Sequence, residues 1–431
     1  MSVLVDAPAT RGGRLLAISE RLPRPDESSG SARFLAVLTA LAGMTEVALW
    51  VERDERQGRT PLPAGRIVED HRRLTARGIR VVPSTWSGFL EAVDATPDIV
   101  LFEGYEAAAR YLAVAHDRCP AAALIVDSVD VHFARFEAGA AIGAVRSSHA
   151  RRVRRAETAV YRDAHLVITA SADDGRLLAQ EPGMPPTVCV PNCVTPRQRD
   201  PRAREPEAVF VGHFHHAPNL DGLHWFVHAG WPRVRARHPE ARLTVIGSYA
   251  DDGVRALGRV PGVSVLGYVA DLTPHLDRAA ASIAPLRYGA GMKGKVTDAM
   301  AAGLPVVTTT VGAQGLTGAD ARHLRVADTA EGLADALADV FADPSAAASM
   351  GLAGQAFIGA VCGPEAIDAA LRTVLATARR TATARTPASG MARHLRLARV
   401  AVRHWSWTFA RRNARWLATR SSSMLDGGTR S

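Results

Sequence analysis

The run GAGMKGKVTDAM, residues 289–300, gathers the groups best able to do chemistry. Lys293 and Lys295 are the two lysines of the chain, so 50 of its 52 Lys and Arg residues are arginine. Gly289, Gly291 and Gly294 lack the Cβ that keeps backbone amides away from an anion. A helix opening near Gly294 would aim its positive dipole end at the same point. An ammonium is a compact charge with rotatable donors, suited to following an anion as it moves, where arginine presents a fixed fork. Asp298 follows Lys295 by about one turn and adds an acceptor. This pattern offers binding and neutralisation of a diphosphate. A plain strand–loop–helix turn with solvated lysines uses the same residues, but confining both lysines to this loop favours the anion.

Other candidates are more dispersed. In VGHFHHAPN (211–219), Gly212 is followed by His213, His215, His216 and Asn219. These histidines share one short loop without a carboxylate in a ligand pattern, so a polar cleft loop is expected and no metal. DSVDVHF (127–133) follows an apolar run and holds Asp127, Asp130 and His132, with Arg135 just beyond. Glu103 ends the run DIVLFE, and Gly30 lies in SSGSAR. The cysteines Cys119, Cys189, Cys193 and Cys362 form no zinc spacing and read as reduced thiols.

These residues need elements to hold them. RLLAIS (14–19), EVALWV (46–51), IRVVP (79–83), DIVLFE (98–103), AALIVD (122–127) and HLVITA (165–170) read as strands. Helical patterns at 31–43, 66–77, 105–117 and 146–163 separate them. The Pro- and Arg-rich stretch 193–207 breaks the pattern and reads as a linker. The alternation restarts with strands at 208–212, 242–247, 263–267, 281–286, 304–309 and 323–327. Helices are expected at 219–237, 252–258, 271–279, 294–302 and 329–342. Apolar strands alternating with helices imply parallel sheets covered on both faces. The expected fold is therefore α/β: two Rossmann-like, doubly wound domains, 1–192 and 208–362, facing a cleft, then a helix at 363–378. Ligands in such sheets sit beyond the carboxyl ends of the strands, which is where Glu103 falls.

Taken in order, AVFVGHFHHAPNLDGLHWF, RLTVIG, VSVLGYVADL and APLRYGAGMKGKVTDAMAAGLPVVTTTVGAQGL strongly resemble family 4 glycosyltransferases of the GT-B fold. The resemblance is densest over 207–357. LPRPDESSGSAR, LIVDSVDVHFARF, RRAETAVYRDAHLVITAS and VCVPNCV extend it more loosely over most of 14–360. It implies a nucleotide-diphosphate sugar as donor, transfer with retention to an acceptor hydroxyl, and no metal or other cofactor. It assigns Asp298 to the donor ribose, His132 to the donor sugar and Gly267-Tyr268-Val269 to the base. Gly30 would approach the donor phosphates or the acceptor. The family usually carries two glutamates with seven residues between; Ala290 stands at the first. That resembles the branch written GAG-x-(K/R)-x-K. The loop at 212–213 also departs from the family, which often has Arg or Lys after this glycine. Two alternatives are a GT-B sugar-nucleotide epimerase and a non-catalytic, membrane-recruited protein of this fold.

Charge is uneven. After Ala378 there are twelve Arg and one Asp, a net +11; the whole chain carries +9, so the first 378 residues carry −2. A basic tail on a near-neutral body argues against nucleic acid as the partner. Within 379–431, Met391, Leu395, Ala398, Val402, Trp405, Phe409 and Trp416 repeat as one helix face opposite a row of arginines. A basic amphipathic helix over 391–420 suits an anionic membrane surface, or docking on protein. No long apolar run or signal-peptide core is evident, so a cytoplasmic location, peripheral to the cell membrane, is expected. A glycan or lipid-linked acceptor in cell-envelope or exopolysaccharide synthesis follows from the resemblance and the tail together.

Overall fold

The computed structural model describes residues 13–53, 64–199 and 205–384. The expected amphipathic helix at 391–420 lies outside them.

The first domain runs β1 (Arg14–Ser19), α1 (Ser29–Ala42), β2 (Glu46–Val51), α2 (Ala64–Thr75), β3 (Ile79–Val81), α3 (Trp86–Asp94) and β4 (Ile99–Glu103). It continues with α4 (Gly104–Arg118), β5 (Ala123–Asp127), α5 (His132–Ala141), α6 (Ser147–Asp163), β6 (Leu166–Thr169), α7 (Ala172–Ala179) and β7 (Thr187–Cys189). Its seven strands are parallel in the order β3-β2-β1-β4-β5-β6-β7. Alternate residues of each strand feed opposite faces: Leu16 and Ile18 join Phe102, Phe133 and Tyr161 on one side, Leu15 and Ala17 join Phe34 and Leu38 on the other. That two-sided burial is why the strands read as apolar throughout.

The second domain runs β8 (Glu207–Val211), α8 (Ala217–Ala229), α9 (Trp231–Arg237), β9 (Arg242–Ile246), α10 (Asp252–Ala256), β10 (Val263–Gly267), α11 (Thr273–Arg278) and β11 (Ala281–Ala284). Then come α12 (Gly294–Ala301), β12 (Val306–Thr308), β13 (Arg325–Val326), α13 (Ala330–Ala342), α14 (Pro344–Cys362) and α15 (Pro364–Ala384). Its six strands are parallel, ordered β10-β9-β8-β11-β12-β13. The helix expected at 219–237 is two helices. Gly230 ends α8, and Pro232 suits the first turn of α9, which needs no amide donor there.

Helix α15 returns to the first domain. Ile367, Leu371, Val374 and Ala378, spaced four, three and four apart, are each at most 3% exposed in the core behind β1. Each large side chain buried there contributes about 1.5–3 kcal/mol. The chain thus crosses between domains twice, and the crossings touch: the Val194 amide donates to the Cys362 carbonyl at 3.0 Å. By length and composition the run Pro344–Thr383 could cross a membrane. Here it is two helices, broken at Gly363, and the second packs on the first domain's core.

Candidate active site

Both sheets reverse their winding beside their first strand, between β1 and β4 and between β8 and β11. Loops leaving a sheet at such a point diverge and leave a crevice. The loops after β1, β8 and β11 line one cavity of about 370 Å³ between the domains. Its walls include Asp26, Ser29, Gly30, Asp130 and Arg135 of the first domain and Gly212, His213, Tyr268, Val269, Lys293, Lys295 and Asp298 of the second.

The loop after β11 places the lysines. Lys293 Nζ donates to the carbonyls of Ala290 at 2.9 Å and Gly291 at 2.5 Å, and to Gln314 Oε1 at 3.1 Å. It ties its own loop shut, and Gly289 gives it room: a Cβ there would stand 3.1 Å from Lys293 Cε. Lys295 Nζ donates to Asn219 Oδ1 at 2.5 Å and lies 5.6 Å from the centre of the Phe210 ring. Asn219 is held in turn by the His213 carbonyl at 2.9 Å. Burial lowers both ammonium pKa values, Lys293 to about 8 and Lys295 to about 7; for Lys295 its neighbour's charge adds to the effect. Asp298 is exposed to the cleft, where desolvation by the surrounding walls pushes its carboxyl up to about 6. In the loop after β8, burial and nearby cations push His216 down to about 3, and burial also lowers His213.

The opposite wall is a chain of carboxylates and cations. Asp130 pairs with Arg135 and receives His132 Nε2 at 2.8 Å, while His132 Nδ1 faces Glu106 Oε1 at 3.2 Å. Burial opposes a charged imidazole, but Asp130 and Glu106 outweigh it and hold His132 well above its ordinary value. Both ring nitrogens therefore donate. Burial opposes ionisation of Asp130 as well, and His132 and Arg135 overcome it and lower its pKa. Glu157 accepts the His132 and Phe133 amides at 3.0 and 2.7 Å, capping α5 in place of an N-cap side chain. Above this, Val129 sits at φ 59°, a left-handed conformation rare for a β-branched residue. Behind it, Arg33 reaches Asp127 at 2.7 Å and the Val190 carbonyl at 2.7 Å, all buried.

The domains meet across the cleft. Gly294, first residue of α12, faces Ser29, first residue of α1; a Cβ on Gly294 would fall 2.2 Å from Ser29 Cβ. A Cβ on Gly291 would fall 2.9 Å from Asp130 Cβ. Two helix N-termini and both lysines thus converge on one space. Tyr268 donates to Asp26 Oδ2 at 3.0 Å, and Asp26 also pairs with Arg66 of α2. The Gly315 amide donates to Asp173 at 3.2 Å.

Residues 205–343 match the family model described as glycosyl transferases group 1. Sucrose-phosphate synthase from Thermosynechococcus elongatus superposes with a TM-score of 0.63 at 16% identity, covering 84% of this chain and 98% of that one. The HepE protein of Anabaena, in complex with UDP-glucose, gives 0.63 at 14% identity over 85% of this chain and 100% of its own. A glycosyltransferase from Rickettsia africae gives 0.60 at 12% over 86% and 98%. The chain has the GT-B fold, and its second domain is similar to the group 1 glycosyl transferases. No curated protein sequence matches it.

The expected residues stand in four kinds of place relative to the GT-B cleft. Lys293, Lys295, Asp298, Gly30, Gly212, His213, Tyr268, Val269, Asp130 and Arg135 line it. Gly289, Gly291 and Gly267 do not; the first two make room for Lys293 and Asp130, and Gly267 supplies a turn at φ 73°. His132 stands behind Asp130 rather than on the cleft wall. Glu103 is a correction: though at a strand end, its carboxyl accepts from Ser19 Oγ and turns away from the cleft, and burial pushes it up to about 8. Glu106, Glu157 and Asp26 were not foreseen. An acid in the first turn after β4, in GYE, was the available signal for Glu106. Among the described residues no group of three or more His, Cys, Asp or Glu is placed to hold a metal ion.

Proposed function

We propose that the protein transfers a sugar, with retention and without a metal, from a nucleotide-diphosphate donor to an acceptor hydroxyl. The convergence of Lys293, Lys295 and the starts of α1 and α12 on one interdomain cavity carries the reading. Charge that develops on a departing diphosphate meets fixed positive ends in a low-dielectric space. Lys293 is held by three oxygens and acts as a fixed charge; Lys295 has one hydrogen-bond partner among the described residues and can follow the leaving group. Asp298 takes the donor ribose hydroxyls. Asp130 is already committed to Arg135 and His132, so it suits an acceptor of sugar hydroxyls better than a nucleophile. Leaving-group stabilisation then drives the reaction, which agrees with Ala290 in place of a carboxylate. Closure of the two domains excludes water and limits hydrolysis.

UDP-glucose, bound by the HepE protein, is the first donor to test. A cell-envelope glycan or lipid-linked acceptor, at the inner face of the membrane, completes the proposal. Thermal shift with UDP, GDP and their sugars is the deciding measurement. A ligand at a hundredfold excess over its Kd adds about 2.7 kcal/mol of apparent stability. One nucleotide should raise Tm and its sugar should be consumed; no shift with any nucleotide and no turnover would overturn the proposal.

A further inference from the structure

The two lysines of the cleft differ in what their nitrogens can do. Lys293 Nζ has acceptors at 2.9, 2.5 and 3.1 Å, which engage all three protons of an ammonium and leave no lone pair. Lys295 Nζ has one hydrogen-bond partner among the described residues, Asn219 Oδ1, and the face of Phe210 beside it. Asp298 on the same helix acts on it only through space; Lys293 repels it from the loop, and His216 of the loop after β8 is near and held neutral by burial. The amine can therefore lose its proton without breaking an ion pair, and it lines the cavity. Around it are the groups that attract a phosphate: Lys293, Arg135 and the helix starts at Ser29 and Gly294.

We propose that Lys295 is a covalent modification site for phosphorylated aldehydes. The phosphate sits against the amides that open α1 and α12, in the field of the Lys293 charge, and the Lys295 amine meets the carbonyl carbon. The nitrogen lone pair forms the C–N bond as the carbonyl π pair moves to oxygen, which takes up a proton. The carbinolamine then loses that oxygen as water and the nitrogen loses its proton, leaving an imine. One water is released and no oxidant or reductant is consumed. The modification occupies the donor's phosphate space, so metabolites of this class would block the transferase reversibly. Burial supports this by bringing Lys295 to about 7, so much of the amine is neutral at mildly alkaline pH.

The chain makes the test clean, because Lys293 and Lys295 are its only lysines and only the terminal amine competes. The full-length protein is treated with pyridoxal 5′-phosphate, reduced with borohydride and read by intact mass and peptide mapping. One adduct is expected, on Lys295, forming roughly tenfold faster than with pyridoxal, as loss of a charge-assisted phosphate contact implies. The Lys295→Arg variant should take up none. An adduct on Lys293 or the terminus instead, or equal rates with pyridoxal, would overturn the proposal, and mapping on the wild type decides this even if the variant misfolds. Suppression by UDP tests the donor reading separately: phosphate-dependent labelling of Lys295 that UDP fails to block supports the modification site and counts against the nucleotide.

Discussion

Replacing Gly294 by alanine tests whether the closed arrangement is the working one. In its own domain the change is mild. Gly294 opens α12, and alanine is the better helix former by up to about 1 kcal/mol. Across the cleft it is severe. The new Cβ would lie 2.2 Å from Ser29 Cβ and 2.8 Å from Ser29 Oγ, against an ordinary contact of at least 3.4 Å. The domains must part by at least about 1.2 Å at this contact. A displacement of that size at a reacting centre costs roughly a hundredfold in rate, or about 2.7 kcal/mol. Steady-state transfer should show that loss, with Tm unchanged or raised and donor affinity changed only a few-fold. Adding Ser29→Gly removes both opposing atoms and should restore most of the rate. Wild-type kcat in Gly294→Ala, or no recovery in the double variant, would refute the argument.

Lys293→Ala and Lys295→Ala should each lower kcat by roughly 10²–10³ while the far-UV spectrum is retained; wild-type rates in either would return these lysines to chance. Lys293→Ala should also lower Tm, because three bonds closing the loop are lost, whereas Lys295→Ala should leave Tm nearly unchanged. Glu103 is held protonated above its ordinary value of 4.5, up to about 8. The unfolded chain releases that proton first, so stability falls as pH rises from about 4.5 to about 8, at most on the order of 1.4 kcal/mol per pH unit from this group. Glu103→Gln imitates the protonated form and should flatten the Tm–pH curve in that window; parallel curves would contradict it. Arg33→Ala leaves Asp127, at 0% exposure, without its ion-pair partner and should cost about 3–5 kcal/mol in urea unfolding. A midpoint within error of wild type would show that the pair is dispensable.

The alternating apolar runs revealed both sheets because each strand is buried on two faces, a pattern visible without knowing the partners. Strand β7 escaped because Thr187–Cys189 is three residues long, half-buried and flanked by prolines. The break between α8 and α9 escaped because the apolar period runs on through Leu223, Phe226 and Trp231. At the site, the lysine loop was legible because composition itself marked it. Glu103 misled because a strand end fixes where a residue sits, not where its side chain turns; Ser19 on the neighbouring strand captures it. The roles of Gly291 and Gly294 were only half legible. Local reading assigned their missing Cβ to an anion, whereas the structure also sets each against a residue of the other domain. Such contacts join residues far apart in the chain, as Tyr268 and Asp26 are at 242 positions, and leave no periodic trace.

The paired crossings near Val194 and Cys362 set how the two domains can move. A single tether would let the second domain twist and wander, and each ligand encounter would have to find the closed pose among many. Two adjacent pivots, stitched by a backbone hydrogen bond, behave like a door hung on two pins: one swing remains and the rest is removed by the chain path. Because α15 is part of the first domain's core, that domain is completed only by residues made after the second domain. During synthesis the second domain is looped out as an insertion before its partner is finished, so the cleft can assemble only after α15 has been made.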